Sequence, residues 1–181
     1  MKKIIAFAGS NSSTSINHKL VSFVASKLED HDVIVIRLTD YPLPIFGEDI
    51  EKEQGYPSNL ELLLTELKQA DAYVISVNEH NGTVSAFFKN VMDWLSRLEY
   101  KFLAEKKILL LSASPGKRGA LSAFEYTKGV LPRYDGTVVA GVNFPSFQEN
   151  FSDENQEIND PDLKKKVMDA ISTFLEALEG D

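Results

Sequence analysis

Five times along this chain a short apolar run is followed by a segment with helical spacing, and this alternation limits the fold more than any other feature. The apolar runs cover residues 3–8, 32–38, 72–77, 107–112 and 137–144. The segments with apolar residues three and four apart cover 15–28, 59–69, 86–98, 120–131 and a last stretch from Asp160 to about residue 178. Asp160 and Pro161 suit the cap and first position of that last helix. Residues 107–112 are almost continuously apolar, which predicts a central strand buried on both faces. Strand–helix repetition of this kind implies a parallel sheet covered by helices on both faces. No linker or internal repeat interrupts it, so residues 1–181 read as one domain. Ligands of such sheets bind beyond the carboxyl ends of the strands, where the winding direction switches.

Composition excludes several classes of function. The formal net charge of -8 argues against nucleic acid as a partner, because phosphate backbones select basic surfaces. The absence of cysteine removes disulfides, thiolate metal sites and a cysteine nucleophile. The apolar run after Met1-Lys2-Lys3 stops at Gly9, too short for a secretion signal. No stretch approaches the length of a membrane span, so a cytoplasmic protein is expected.

Three loops carry the unusual residues, after the first, third and fourth strands. The first, Gly9 to Asn17, holds five hydroxyls in the six positions from Ser10 to Ser15 and opens a helix. Free N–H groups at a helix start attract anions, and hydroxyls add neutral donors. Ser10, Ser12, Ser15, Ile16 and Asn17 are therefore candidates for a phosphate monoester. The plainer alternative is a solvated loop with Ser15 as N-cap. Neither the Walker pattern nor the dinucleotide glycine pattern is present. The second loop contains Asn78, Glu79, His80, Asn81 and Gly82, which can lie against a flat ring system. Glu79 and His80 can equally be ordinary surface residues, and no further group has metal-ligand spacing, so no metal is expected. The third contains Ser114, Pro115, Gly116 and Gly119, a tight turn whose amides can meet a ring edge.

In the helix predicted over residues 86–98, Phe87, Phe88, Val91, Met92, Trp94, Leu95 and Leu98 span an arc of roughly 160°. An arc this wide allows burial against the sheet and a second chain, or simply deep burial in the core.

Together these loops resemble the NADPH-dependent FMN reductase family, which includes flavin, quinone, chromate and azo-dye reductases. The likeness runs from residue 3 to about 142. Gly9-Ser10 and Ser15-Ile16-Asn17 resemble its phosphate loop, and Pro42-Leu43-Pro44-Ile45-Phe46 its loop beside the flavin. Glu79-His80-Asn81, Phe88-Lys89-Asn90 and Asp93-Trp94 resemble its central signature. Ser114-Pro115-Gly116 and Gly119 resemble its loop at the flavin's pyrimidine side. Four positions depart from the pattern. Ser12 stands for an arginine, Asn78 for a proline, His80 for a tyrosine and Ser85-Ala86 for a Pro-Gly pair. The resemblance implies a flavodoxin-like α/β fold, a five-stranded parallel sheet of order 2-1-3-4-5 with helices on both faces. It implies non-covalent FMN, NADPH or NADH as donor, and a small-molecule acceptor such as a quinone, flavin, azo dye or metal oxyanion. No catalytic acid, base or nucleophile is implied, because the flavin does the chemistry. A homodimer, or a tetramer of paired dimers, is also expected. The rival readings are an electron-carrier flavoprotein serving protein partners and an α/β domain without the cofactor.

Overall fold

Alternate residues of the central strands face opposite sides, and in this chain both sides are apolar. In β1 (Lys3–Ala8), Ile5 and Phe7 enter one core while Ile4 and Ala6 enter the other. The same division continues in β3 (Ala72–Val77) and β6 (Lys107–Ala113). A strand buried on both faces has to be covered by two helical layers, and that is the architecture of the computed structural model, which describes residues 1–180.

In chain order, α1 (Ile16–Ala25) follows β1, and β2 (Asp32–Val35) follows α1. Next come α2 (Glu48–Gln54), α3 (Ser58–Lys68), β3, and a small hairpin of β4 (Glu79–His80) and β5 (Thr83–Val84). Then come α4 (Ala86–Leu98), β6, α5 (Leu121–Val130) and β7 (Thr137–Phe144). The chain ends with α6 (Phe147–Asn150), a second hairpin of β8 (Phe151–Ser152) and β9 (Glu157–Ile158), and α7 (Pro161–Glu179). The main sheet is parallel with order β2-β1-β3-β6-β7, which is the expected 2-1-3-4-5 once the two hairpins are set aside. Residues of α1 and α7 cover one face, and those of α3, α4 and α5 cover the other. The winding direction switches between β1 and β3.

Several boundaries differ from expectation. The second strand was expected through residue 38 but ends at Val35; Leu38 turns into the core and starts a short 3-10 segment, Leu38–Asp40. The first helix begins at Ile16, with Ser15 as its cap. The fourth expected helix begins at Leu121 rather than residue 120. The α2 helix was not anticipated, because it buries no residue fully; its signals are an acidic first turn and Gly55 at its end. The acidic composition of residues 148–159 predicts a loop, but the segment is folded, because Phe147, Phe151 and Ile158 bury in the core beside α1 and α7. The rings of Phe147 and Phe151 stack at 4.8 Å.

The wide apolar arc of α4 is accounted for within the chain. Phe88, Val91, Met92, Trp94 and Leu95 are all buried, and Phe87 and Leu98 pack against the same core. The arc therefore gives no support to a second chain, although Ile45 and Tyr100 remain 74% and 59% exposed nearby.

Candidate functional site

Beyond the carboxyl ends of β1, β3 and β6 lies an open cleft of about 330 Å³. Its first wall is the turn between β1 and α1. Ser15 caps α1, its Oγ accepting from His18 N at 3.2 Å. The turn before it is held by its own hydroxyls. Ser12 N donates to Ser10 Oγ at 3.2 Å, and Thr14 N donates to Ser12 Oγ at 3.3 Å. The amides of Ile16 and Asn17 lie in the first helical turn, where no carbonyl precedes them to accept. Hydroxyl donors and first-turn amides thus converge on one spot at the positive end of a helix, a setting for a phosphate without any cationic side chain.

Gly9 sits at the start of this turn because nothing larger fits. A Cβ there would come within 2.7 Å of the Phe88 ring. Ser85 fixes the same point from the other side. Its Oγ donates to Gly9 O at 2.8 Å and accepts from Phe88 N at 3.1 Å, so one hydroxyl caps α4 and anchors the β1 turn.

Ser10, Ser12, Ser15, Ile16, Asn17, Asn78, Glu79, His80, Ser114 and Pro115 all line the cleft. Asn81, Gly82, Gly116 and Gly119 do not. Asn81 and Gly82, at φ 52° and 81°, are the two turn residues of the β4–β5 hairpin. Positive φ at both positions is what a two-residue hairpin turn requires, and Asn-Gly is its common sequence. Gly119, at φ 58°, brings the β6–α5 turn against the end of β7, where a Cβ would meet Phe144 C and Pro145 N at 2.9 Å.

Asn17 needs a correction as a phosphate ligand. Its side chain is only 2% exposed and is already engaged. Oδ1 accepts from Ser76 Oγ at 2.7 Å and from Ala113 N at 2.9 Å, while Nδ2 donates to Ala113 O at 3.1 Å. The side chain ties α1 to the ends of β3 and β6. Its backbone N–H, in the first turn of α1, stays available for an anion. Glu79 is likewise not a solvated carboxylate: Oε2 accepts from Ser122 N and Ala123 N at 2.9 and 3.2 Å. His80 is exposed, and its Nε2 lies 3.2 Å from Asn78 Nδ2. Asn78 Oδ1 is buried without a hydrogen-bond partner among the described residues.

Asn90 and Trp94 clamp the proline-rich loop onto α4. Asn90 Nδ2 and Trp94 Nε1 both donate to Pro44 O, at 2.9 and 2.8 Å, and Asn90 Oδ1 accepts from Phe46 N at 2.7 Å. The Phe46 ring meets Trp94 edge-on at 5.1 Å. Lys89 and Asp93 pair with each other at 2.6 Å, one helical turn apart, and this raises the Lys89 pKa against the opposing effect of its partial burial.

Thr14, Ala113 and Gln148 also line the cleft and were not anticipated. Gln148 follows the last strand, so its place at the same carboxyl edge was the signal for it. A larger groove of about 500 Å³ runs between β7 and α7, but it lies at the sheet edge, away from the switch point. No group of three or more His, Asp or Glu among the described residues is placed to hold a metal. No helix among them is long and apolar enough to cross a membrane.

The chain is similar to several known proteins. The chain is 34% identical over 105 residues to the quinone reductase of Escherichia coli (strain K12), a match covering 58% of this chain and 54% of that protein. The chain thus spans about half the length of the first curated relatives it matches. It is 26% identical over 145 residues to an NAD(P)H-dependent FMN reductase of Pseudomonas aeruginosa, covering 76% of each. Among solved structures, the flavoenzyme NAD(P)H:(acceptor) oxidoreductase FerB from Paracoccus denitrificans shares the fold with a TM-score of 0.77. That likeness covers 99% of this chain and 98% of FerB at 24% identity. The sequence profile of the NADPH-dependent FMN reductase family matches residues 2–149, which contain every residue that lines the cleft, and the chain belongs to that family.

Proposed function

We propose that this chain is an oxidoreductase that binds FMN in the cleft and passes reducing equivalents from NADPH or NADH to small acceptors of the quinone class. The observation that carries the reading is the convergence of hydroxyls and first-turn amides at the start of α1, beside two further loop walls at the switch point. The residues present fit the cofactor. Ser10, Ser12 and Ser15, with the amides of Ile16 and Asn17, suit a phosphate monoester. Asn78, His80, Ser114 and Pro115 form the remaining walls, which suit a flat ring. The unpartnered Asn78 Oδ1 in this wall is an unmet demand for a donor, of a kind that costs about 1–3 kcal/mol when left alone.

When bound, FMN supplies the hydride and electron transfer. The chain supplies placement. The start of α1 offers neutral donors, so the site holds an anion although the chain as a whole is acidic. Asn17 and Ser85 keep that turn fixed before any ligand arrives, which spares the ordering cost of binding. His80, at the open rim, is the side chain placed to meet an incoming reactant.

We place the protein in the cytoplasm, where its reductant is made, and expect a homodimer that covers exposed Ile45 and Tyr100. The deciding experiment is an absorbance spectrum of the purified protein with added FMN, followed by NADPH and NADH oxidation with a quinone. A yellow protein with parallel initial-rate lines supports the reading. A colourless protein that leaves FMN fluorescence unchanged refutes it. Bound FMN with no turnover would favour an electron carrier instead.

A further inference from the structure

The α5 helix starts without a cap of its own. Its N-cap residue is Ala120 in the left-handed region, and a methyl group accepts no hydrogen bond. Two first-turn amides would then be orphaned in a partly buried place. They are not, because Glu79 reaches across from the end of β3 and accepts from both Ser122 N and Ala123 N. The cap comes from 43 residues earlier in the chain. Its charge has the sign that a helix N-terminus favours.

This contact joins two walls of one cleft. Asn78, Glu79 and His80 form one wall, and Ser114 and Pro115 form another. Ser114 Oγ accepts from Ala120 N at 3.1 Å, so the second wall rests on the same helix start. Ser112 Oγ donates to Gly119 O at 2.7 Å and holds the intervening turn to β6. Hydrogen bonds at Ala120 N, Ser122 N and Ala123 N therefore tie Ser114 and Glu79 to the same short stretch of backbone at the start of α5. The length of the Glu79 side chain sets where the β3 loop stands relative to the β6 loop.

We propose that Glu79 is a positioning residue for the flavin-ring end of the cleft, holding its two walls at the spacing the ring needs. The proposal rests on the FMN reading given above and deepens it. The α1 turn is held by Ser85 and Asn17, to which the Glu79 carboxylate makes no hydrogen bond, so Glu79 acts on the ring and not on the phosphate. Reach and an acceptor oxygen matter, and the negative charge is secondary. A glutamine has both the reach and the oxygen. An aspartate has the charge but is one methylene too short to span to Ser122 and Ala123.

The test is titration of the purified protein with FMN and, separately, with riboflavin, read by flavin fluorescence, for wild type, Glu79→Gln, Glu79→Asp and Glu79→Ala. Thermal unfolding without flavin is measured on each. The Ala and Asp variants should bind FMN about tenfold more weakly or worse, the scale of one lost charge-assisted hydrogen bond in a preorganised wall. The Gln variant should stay within about threefold of wild type. Riboflavin, which lacks the phosphate, should show the same fold-changes. The proposal is overturned if Glu79→Ala lowers the unfolding temperature but binds FMN like wild type, since Glu79 then only stabilises α5. It is also overturned if Asp rescues binding and Gln does not, or if the effect disappears with riboflavin. Should the Ala variant not fold, the Gln and Asp pair decides the question alone. Wild type that binds no flavin would sink the FMN reading itself, and that result appears before any substitution is made.

Discussion

Replacing Asn17 by alanine should cost about 3 kcal/mol of folding stability in the protein without flavin. The side chain makes three hydrogen bonds at the buried floor of the cleft, with Asn17 and Ala113 each 2% exposed and Ser76 fully buried. The substitution orphans the N–H and C=O of Ala113 and the hydroxyl of Ser76. Each buried orphan costs about 1–3 kcal/mol, but the Ser76 hydroxyl can rotate toward another acceptor, so the two backbone groups dominate. The better helix propensity of alanine returns only about half a kcal/mol. Equilibrium unfolding in urea measures the net loss. A double-mutant cycle with Ser76→Ala should show coupling of about 1 kcal/mol, because the two side chains share a 2.7 Å bond. Had the Asn17 side chain instead been a phosphate ligand, as its place in the sequence suggested, the substitution would weaken FMN binding and leave the flavin-free protein almost untouched. A stability loss below about 1 kcal/mol, or strict additivity with Ser76→Ala, would refute the clamp.

Other substitutions test other parts of the same edge. Gly119→Ala should destabilise by about 2 kcal/mol or more, seen as a lower unfolding temperature, because it places a Cβ at positive φ and 2.9 Å from the backbone of Phe144 and Pro145. Asn90→Ala should free the proline-rich loop, so that limited proteolysis cuts between residues 42 and 47 faster than in wild type, since Asn90 holds both Pro44 O and Phe46 N. The pKa of His18 is lowered from 6.5 by burial and by Arg37, so its folded form binds a proton less readily than the unfolded chain. Stability should therefore fall as pH drops below about 6.5 toward the folded pKa, and His18→Asn should flatten that part of the urea-stability profile.

Much of the fold follows from local pattern alone. Short apolar runs such as residues 107–112, set between helical segments, fit strands buried on both faces, and such strands demand helices on both sides. Asp160 and Pro161, placed before such a pattern, mark a helix start, and α7 begins there. The hydroxyl-rich turn was also legible, because helix starts attract anions by virtue of local geometry. Some local signals were present but passed over: Asn81-Gly82 announces a hairpin, and the acidic turn after Gly47 announces α2.

The roles of individual polar side chains were a different matter, because a hydrogen bond depends on which atoms the fold brings together. Nothing around Asn17 in sequence points to Ala113, 96 residues away. Nothing around Glu79 reveals that α5 starts on an alanine without a cap. The arc of α4 showed how much apolar surface needed covering but not what covers it, and the sheet face and the proline-rich loop turned out to do so. Hydrophobic period and helix-end chemistry act over a few residues, and so the sequence by itself determined the five main strands, the helices between them and the hydroxyl-rich turn at the start of α1. Which acceptor meets which donor across the carboxyl edge of the sheet is decided by long-range packing, and only the tertiary structure showed that the Asn17 and Glu79 side chains tie the elements around the cleft together.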